Sequence, residues 1–173
     1  GRFDTDRAGF MLRTLSSDRE RREALDVFAR VLRAPAFPQE VLEREKARLT
    51  GALKEADTRP DTIASRAFYR LAYRDHPYAL RASGEVETIG KIAREDLVGF
   101  HRRHYVAPYA VVAIIGDVTR AEAEAIAEQL TRGLPGASGA EPLLPPVAEL
   151  PAASTRTIGH HATQAHIMIG APG

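Results

Sequence analysis

The sequence predicts a fold that combines α-helices with β-strands. Several segments carry apolar residues at helical spacing among charged ones, and the first three follow one another without an intervening strand. Other segments have the alternating or β-branched composition of strands. The predicted strands span residues 9–15, 110–115, 155–158 and 165–169.

The predicted helices begin and end at residues that favour helix boundaries. Ser17 precedes the first helix, Pro38 suits the first position of the second, and Thr119 can cap the last. Pro35 and Pro108 end the helices before them because proline cannot continue the hydrogen-bonding pattern. The predicted helices span residues 19–33, 38–57, 63–75, 86–89, 94–105 and 119–130.

The composition is that of an ordinary globular chain and excludes several kinds of site. The 24 Lys and Arg residues balance 23 Asp and Glu residues, so no net charge favours nucleic acid, and we expect no nucleic-acid partner. The absence of cysteine excludes disulfides, thiolate metal sites and a cysteine nucleophile, but leaves the compartment open. No apolar run reaches the roughly 20 residues of a membrane span, so we expect no membrane insertion.

We expect three regions along the chain. Residues 1–134 form a first lobe that lacks its N-terminal part, and residues 153–173 supply the first strands of a second lobe. Between them, residues 135–152 hold five prolines, which predicts an extended linker. Both ends of the sequence look like cuts, so we interpret the chain as a fragment.

A series of short motifs accompanies these elements in a fixed order. They are Pro-Ala-Phe-Pro-x-Glu at 35–40, Leu-Glu-Arg-Glu at 42–45, His76-Pro77-Tyr78, Gly84, Ile89, Asp96-Leu97, Phe100-His101, Tyr105, Gly116-Asp117-Val118, and Gln164 followed by Ile167, Ile169 and Gly170. Their order and spacing resemble the zinc metallopeptidases of the insulinase/pitrilysin family over essentially the whole chain. The resemblance implies an α+β fold, a mainly antiparallel sheet covered by helices, and paired lobes that enclose an unfolded peptide.

Active members of that family bind zinc through two histidines of a His-x-x-Glu-His helix and one distant glutamate. The resemblance places that helix before the first strand of this chain, and the motif does not occur in residues 1–173. The distant glutamate follows the Arg-Glu step by seven residues, and counting from Glu45 leads to Ala52. A methyl group cannot coordinate zinc. Glu55 is three residues further and about 300° around the helix, which brings it to a nearby face within one turn, so it is a weak alternative that requires a shifted alignment.

Two histidine clusters are weaker candidates for a metal site. His101 and His104 are three residues apart at the end of a predicted helix, where cationic side chains also offset the helix dipole. His160, His161 and His166 lie in the last predicted strands, where a metal site would need convergent geometry without a carboxylate. We interpret both clusters as structural or surface residues.

Four arginines could form a basic patch for phosphate. Arg66, Arg70, Arg74 and Arg81 occur in a stretch with few acidic residues, although neighbouring helices supply many. A solvated helix face explains this pattern more simply.

The residues and the resemblance together predict a non-catalytic, substrate-holding lobe or subunit of an insulinase/pitrilysin-type zinc peptidase. Its partners would be a catalytic lobe or subunit that carries the zinc and an extended peptide bound by strand addition. The chain itself would have no catalytic residue and no metal ligand, and its substrate-binding residues are not identified. The family resemblance points to the bacterial periplasm without establishing a compartment.

Two alternatives stay open at this point. The chain is a fragment of an active zinc endopeptidase if Glu55 or another acidic residue serves as the third ligand. It is an assembly scaffold that never binds peptide if it resembles the members of the family embedded in respiratory complexes.

Overall fold

The structure is a computed structural model that describes residues 1–136 and 143–172. Short strands β1 (Arg2–Phe3) and β2 (Ala8–Gly9) form a two-stranded sheet near the start of the chain. Two 3₁₀ turns lie at Pro77–Ala79 and Ala107–Tyr109. The helices are α1 (Asp18–Arg33), α2 (Gln39–Ala56), α3 (Pro60–Tyr73), α4 (Val86–Ile89), α5 (Arg94–His104) and α6 (Arg120–Thr131).

All six predicted helical segments are confirmed, with boundaries within a few residues of those expected. Pro60 occupies the first turn of α3, where its missing N–H leaves no intrahelical hydrogen bond unmade. Thr119 caps α6 as predicted, since its hydroxyl accepts from the Glu122 N–H at 3.3 Å. Local capping and apolar periodicity therefore determine these elements.

The described residues divide into two compact units. The first comprises Gly1–Arg2, Ala8–Gln39 and the described part of Ala93–Glu141. Its core is formed by Leu25 and Ala29 of α1 with Leu130 of α6. Polar contacts join the same two helices, because Gln129 donates to Asp26 at 2.7 Å and Arg21 pairs with Glu122 at 3.2 Å.

The second unit comprises Phe3–Arg7, Glu40–Ile92 and the described part of Pro142–Gly173. Leu53 of α2, Ala72 of α3 and Ile89 of α4 are buried in it. Aromatic rings join α3 to the 3₁₀ turn at Pro77–Ala79, with Tyr73 and Tyr78 edge to face at a centroid distance of 5.5 Å.

The expected mainly antiparallel sheet is not what the structure shows. Among the described residues the only sheet is β1–β2, and the predicted strands at 110–115, 155–158 and 165–169 have no regular secondary structure. Only Gly9 of the predicted strand at 9–15 lies in a strand. A strand requires a neighbour that accepts and donates its ladder hydrogen bonds, and no described segment serves as that neighbour. The described part of the fold is mostly helical.

The predicted division at 134/135 and 152/153 stays a prediction. Residues 137–142 of the proposed linker, and residue 173 of the proposed second lobe, lie outside the described residues. No helix in the described part of the chain combines the length and the apolar character needed to span a bilayer.

Candidate functional site

Ala52, the expected position of the third zinc ligand, lies on the last turns of α2. Ala52 and Glu55 are both exposed, whereas Leu53 between them is only 4% exposed. The helix therefore buries Leu53 and presents Ala52 and Glu55 on its solvent side. No other element of the described structure covers either position.

The side chains present do not fit a zinc site at this position. Zinc requires three or four nitrogen, sulfur or oxygen ligands within about 2.3 Å. Within residues 1–136 and 143–172, no group of three or more His, Asp or Glu residues is arranged to hold a metal ion.

His101 and His104 have separate structural contacts. The His101 ring nitrogen Nε2 lies 2.7 Å from the Leu32 carbonyl oxygen, and its ring stacks on Tyr105 at 4.9 Å. The His104 ring lies 4.4 Å from that of Phe100. Since Nε2 of His101 is engaged with a backbone carbonyl, this imidazole ties the end of α1 to α5.

The histidines near the end of the chain also do not converge. His160 Nε2 lies 3.1 Å from the Thr58 carbonyl oxygen, while His161 and His166 are exposed. A backbone carbonyl is a structural partner that positions the imidazole of His160.

An ion-pair network in the second unit is the densest cluster of charged side chains that the structure describes. Arg66 of α3 pairs with Asp57 at 3.3 Å and with Glu85 at 2.5 Å. Arg70, one turn later on the same helix, reaches Glu85 at 3.4 Å, and Arg81 reaches Asp57 at 2.5 Å. We call these five residues the arginine–carboxylate network.

Two backbone features bring this network together. Asp57 directly follows α2, with its N–H bonded to the Leu53 carbonyl oxygen at 2.9 Å. The chain then turns between Arg81 and Gly84, whose φ of 79° is a conformation that glycine adopts at little cost. This turn places Arg81 and Glu85 on the same side as Asp57.

Hydrogen bonding in the network holds the pKa of Asp57 below its ordinary value. The largest cause is the hydrogen bond from Arg81, partly opposed by burial, and the charges of Arg81 and Arg66 act in the same direction as that hydrogen bond. Asp57 is therefore a carboxylate at neutral pH. Its role is to hold two guanidinium groups in place.

The interpretation of these arginines as a solvated face is only partly right. Arg70 is half exposed and Arg74 lies at the end of α3, but the Arg81 side chain retains 15% exposure and Arg66 29%. Sequence reasoning missed the network because Asp57 and Glu85 belong to other segments. The signal in the sequence was a cluster of four arginines flanked by Asp57 and Glu85, and three of those arginines pair with these carboxylates.

Two apolar segments without regular structure, one in each unit, are two further candidate sites. In the segment 110–115, Val111 is 95% exposed and Ile115 is 100% exposed. In the segment 165–169, Ile167 and Ile169 are also largely exposed. No backbone hydrogen bond is found for residues 111–115 or 165–169 within the described part of the chain. Each segment presents free N–H and C=O groups beside β-branched side chains, as a strand edge does.

Comparison with known proteins gives a consistent result. Residues 91–173 match the family model described as the peptidase M16 inactive domain. A crystal structure of a peptidase M16 inactive domain from Pseudomonas fluorescens has a TM-score of 0.73 and 34% sequence identity, covering 78% of this chain and 32% of that chain.

Two curated relatives extend the likeness. Cytochrome b-c1 complex subunit 1 of Bos taurus is 25% identical over 127 residues, which are 73% of this chain and 26% of that protein. The probable mitochondrial-processing peptidase subunit beta of Arabidopsis thaliana is 27% identical over 100 residues, or 58% of this chain and 19% of that protein. The chain thus spans about a quarter or less of the length of these relatives.

Proposed function

This chain belongs to the M16 family, the insulinase/pitrilysin type of zinc metallopeptidases, and we propose that it is a non-catalytic lobe or subunit that holds peptide substrate for a catalytic partner. The observation that carries the proposal is the match of residues 91–173 to the inactive domain of the family. The exposed methyl group of Ala52, at the position expected for a zinc ligand, supports it independently.

The zinc and the general base would belong to the partner. A partner with an intact His-x-x-Glu-His helix would supply a water activated by zinc for attack on the scissile carbonyl. The residues of this chain would bind and orient the peptide. Subunit beta of the mitochondrial-processing peptidase, one of the relatives, is itself named as a subunit of a peptidase, which supports a role in a complex.

Strand addition is the means of holding peptide that the geometry supports best. The segments 110–115 and 165–169 offer unpaired backbone groups, and an extended peptide pairs with such groups whatever its side chains. Main-chain pairing gives affinity with little sequence discrimination, which suits a protein that receives unfolded substrates.

The test is the rate at which a catalytic M16 subunit from the same organism cleaves a quenched fluorescent peptide of about fifteen residues. We expect the rate to rise with added chain and to saturate as a complex forms on size-exclusion chromatography. A complex that forms without any change in kcat or KM would contradict the proposal. So would chelator-sensitive cleavage by the chain alone.

An assembly scaffold is the second candidate, favoured by the likeness to cytochrome b-c1 complex subunit 1. In that case the chain would co-purify with a membrane complex and not with a peptidase subunit. It would also fail to bind unstructured peptide at any concentration at which it stays monomeric.

A further inference from the structure

A small cavity of about 300 Å³ opens beside the arginine–carboxylate network in the second unit. Arg66 and Arg70 of α3 line it together with Arg156 and with Asp57, whose carboxylate is already engaged by Arg66 and Arg81. Ile63 and Ile158 form an apolar part of its wall. The cavity therefore combines cationic donors with an apolar surface, the composition typical of sites for small amphipathic ligands.

The charges around the cavity do not balance. The network and Arg156 together contribute four guanidinium groups against two carboxylates, those of Asp57 and Glu85. Within residues 1–136 and 143–172, Arg156 has no hydrogen bond and no ion pair. Arginines therefore outnumber carboxylates by two in this region, and Arg156 is the one without an ion pair among the described residues, which favours an anion.

Donor groups also remain unused at the same place. Both carboxylates already accept hydrogen bonds from the network. Arg66 Nε and Arg81 Nη1 are buried and have no hydrogen-bond partner among the described residues. Buried N–H groups nearly always find an acceptor, and Arg66, unlike Arg81, lines the cavity, so the free Arg66 Nε is a second indication that an acceptor group belongs here.

We propose that this cavity binds the C-terminal carboxylate of a peptide whose last residue is apolar. The planar fork of a guanidinium matches the two oxygens of a carboxylate, and Arg70 and Arg156 have free donors for that purpose. Ile63 and Ile158 then contact the terminal side chain. Inorganic phosphate satisfies the donors but leaves the apolar wall uncovered. The proposal rests on the proposed function, because it names the part of the held peptide that the chain recognises.

The experiment measures fluorescence anisotropy with an N-terminally labelled fifteen-residue unstructured peptide that ends in leucine, as the free acid and as the amide. We expect the free acid to bind about tenfold or more tightly than the amide, because the amide loses a charge-assisted hydrogen bond. A version of the free acid that ends in serine should bind more weakly, since it covers less of the apolar wall.

Variants of the arginines locate the effect. Arg156→Gln and Arg70→Gln should each weaken binding of the free acid by about tenfold and leave binding of the amide unchanged. Arg74→Gln is the matched control, because Arg74 ends the same helix but does not line the cavity. Arg66 is left intact since it holds both carboxylates of the network.

The outcomes separate this proposal from the broader one. Equal affinity for the free acid and the amide, or wild-type affinity in Arg156→Gln, overturns the proposal that the cavity binds a terminal carboxylate. The broader proposal that the chain holds peptide is unaffected by either result. Displacement of both forms by millimolar phosphate with no difference between them also overturns it. Absence of any peptide binding overturns both proposals together.

Discussion

Arg81 donates from Nη2 to Asp57 Oδ1 at 2.5 Å, and this contact joins the residue after α2 to the turn before α4. The same oxygen accepts from Arg66 of α3 at 3.3 Å. One carboxylate therefore ties together the end of α2, helix α3 and the turn before α4. Its removal should affect the second unit more than the loss of an ordinary surface charge would.

Replacing Asp57 tests this directly. Asp57→Asn should lower the free energy of unfolding by about 1–3 kcal/mol, because two guanidinium groups that are mostly buried lose their charged acceptor. Urea unfolding followed by circular dichroism measures the change. Glu45→Gln is the control, since Glu45 pairs with Arg48 at 2.7 Å on an exposed helix surface and should contribute well under about 1 kcal/mol. Equal effects of the two substitutions would show that the network contributes no more to stability than an exposed ion pair does.

Acid should remove the contribution of Asp57. The pKa of its carboxyl group is lowered from its ordinary value in the folded state, chiefly by the Arg81 hydrogen bond. A lowered folded pKa means stability that is present above the unfolded pKa and lost as pH falls through the folded pKa. The stability difference between wild type and Asp57→Asn should therefore be constant from pH 7 to about pH 5 and shrink below the unfolded value. A difference that is already gone at pH 5 would contradict this assignment.

The start of α6 offers a test in the first unit. Thr119 Oγ1 accepts from the Glu122 N–H, and Glu122 Oε2 accepts from the Thr119 N–H at 2.8 Å, which is a reciprocal capping box. Thr119→Ala should cost about 0.5–2 kcal/mol of stability, measured by urea unfolding. Thr119→Ser keeps the hydroxyl and should restore most of the loss. If serine were as destabilising as alanine, the methyl group and not the cap would be responsible.

Strand addition predicts a particular pattern of proline effects in the segment 110–115. Successive N–H groups of an extended chain point to opposite sides, so only one of Ile114→Pro and Ile115→Pro removes a donor that faces the peptide. That variant should bind a fifteen-residue peptide about two- to tenfold more weakly. Ile114→Ala and Ile115→Ala are matched controls that shorten the side chain but keep the N–H. Full affinity in both proline variants would exclude pairing through this segment.

The helices and their caps could be predicted from the sequence because the signals are local. Thr119 and Pro60 act on residues within one turn, so no knowledge of the rest of the fold is needed. The strands could not be predicted in this way, since a segment such as 110–115 becomes a strand only when another chain segment completes its hydrogen bonds. Composition identified an extended, apolar segment but not its neighbour.

The charged network was missed for a related reason. Arg66, Arg70 and Arg81 were visible as a cluster, but Asp57 and Glu85 approach them only through the turn at Gly84. Arg156 joins the cavity from a segment about 75 residues beyond that turn. Long-range contacts of this kind are not encoded in periodicity or spacing. The position of Ala52, in contrast, came from the family resemblance, by counting seven residues from Glu45, and the structure places it on an exposed face of α2.

The central claim, that this chain is a non-catalytic member of a zinc peptidase family, is tested most directly by its zinc stoichiometry. The purified chain and its Glu55→Gln variant are each mixed with equimolar zinc and treated with a mild chelator. The zinc that stays bound to each protein is then measured. We predict less than about 0.1 zinc per chain for both proteins, because three ligands are needed for retention. One zinc per chain in the wild type, lost in Glu55→Gln, would contradict the account and establish Glu55 as a ligand.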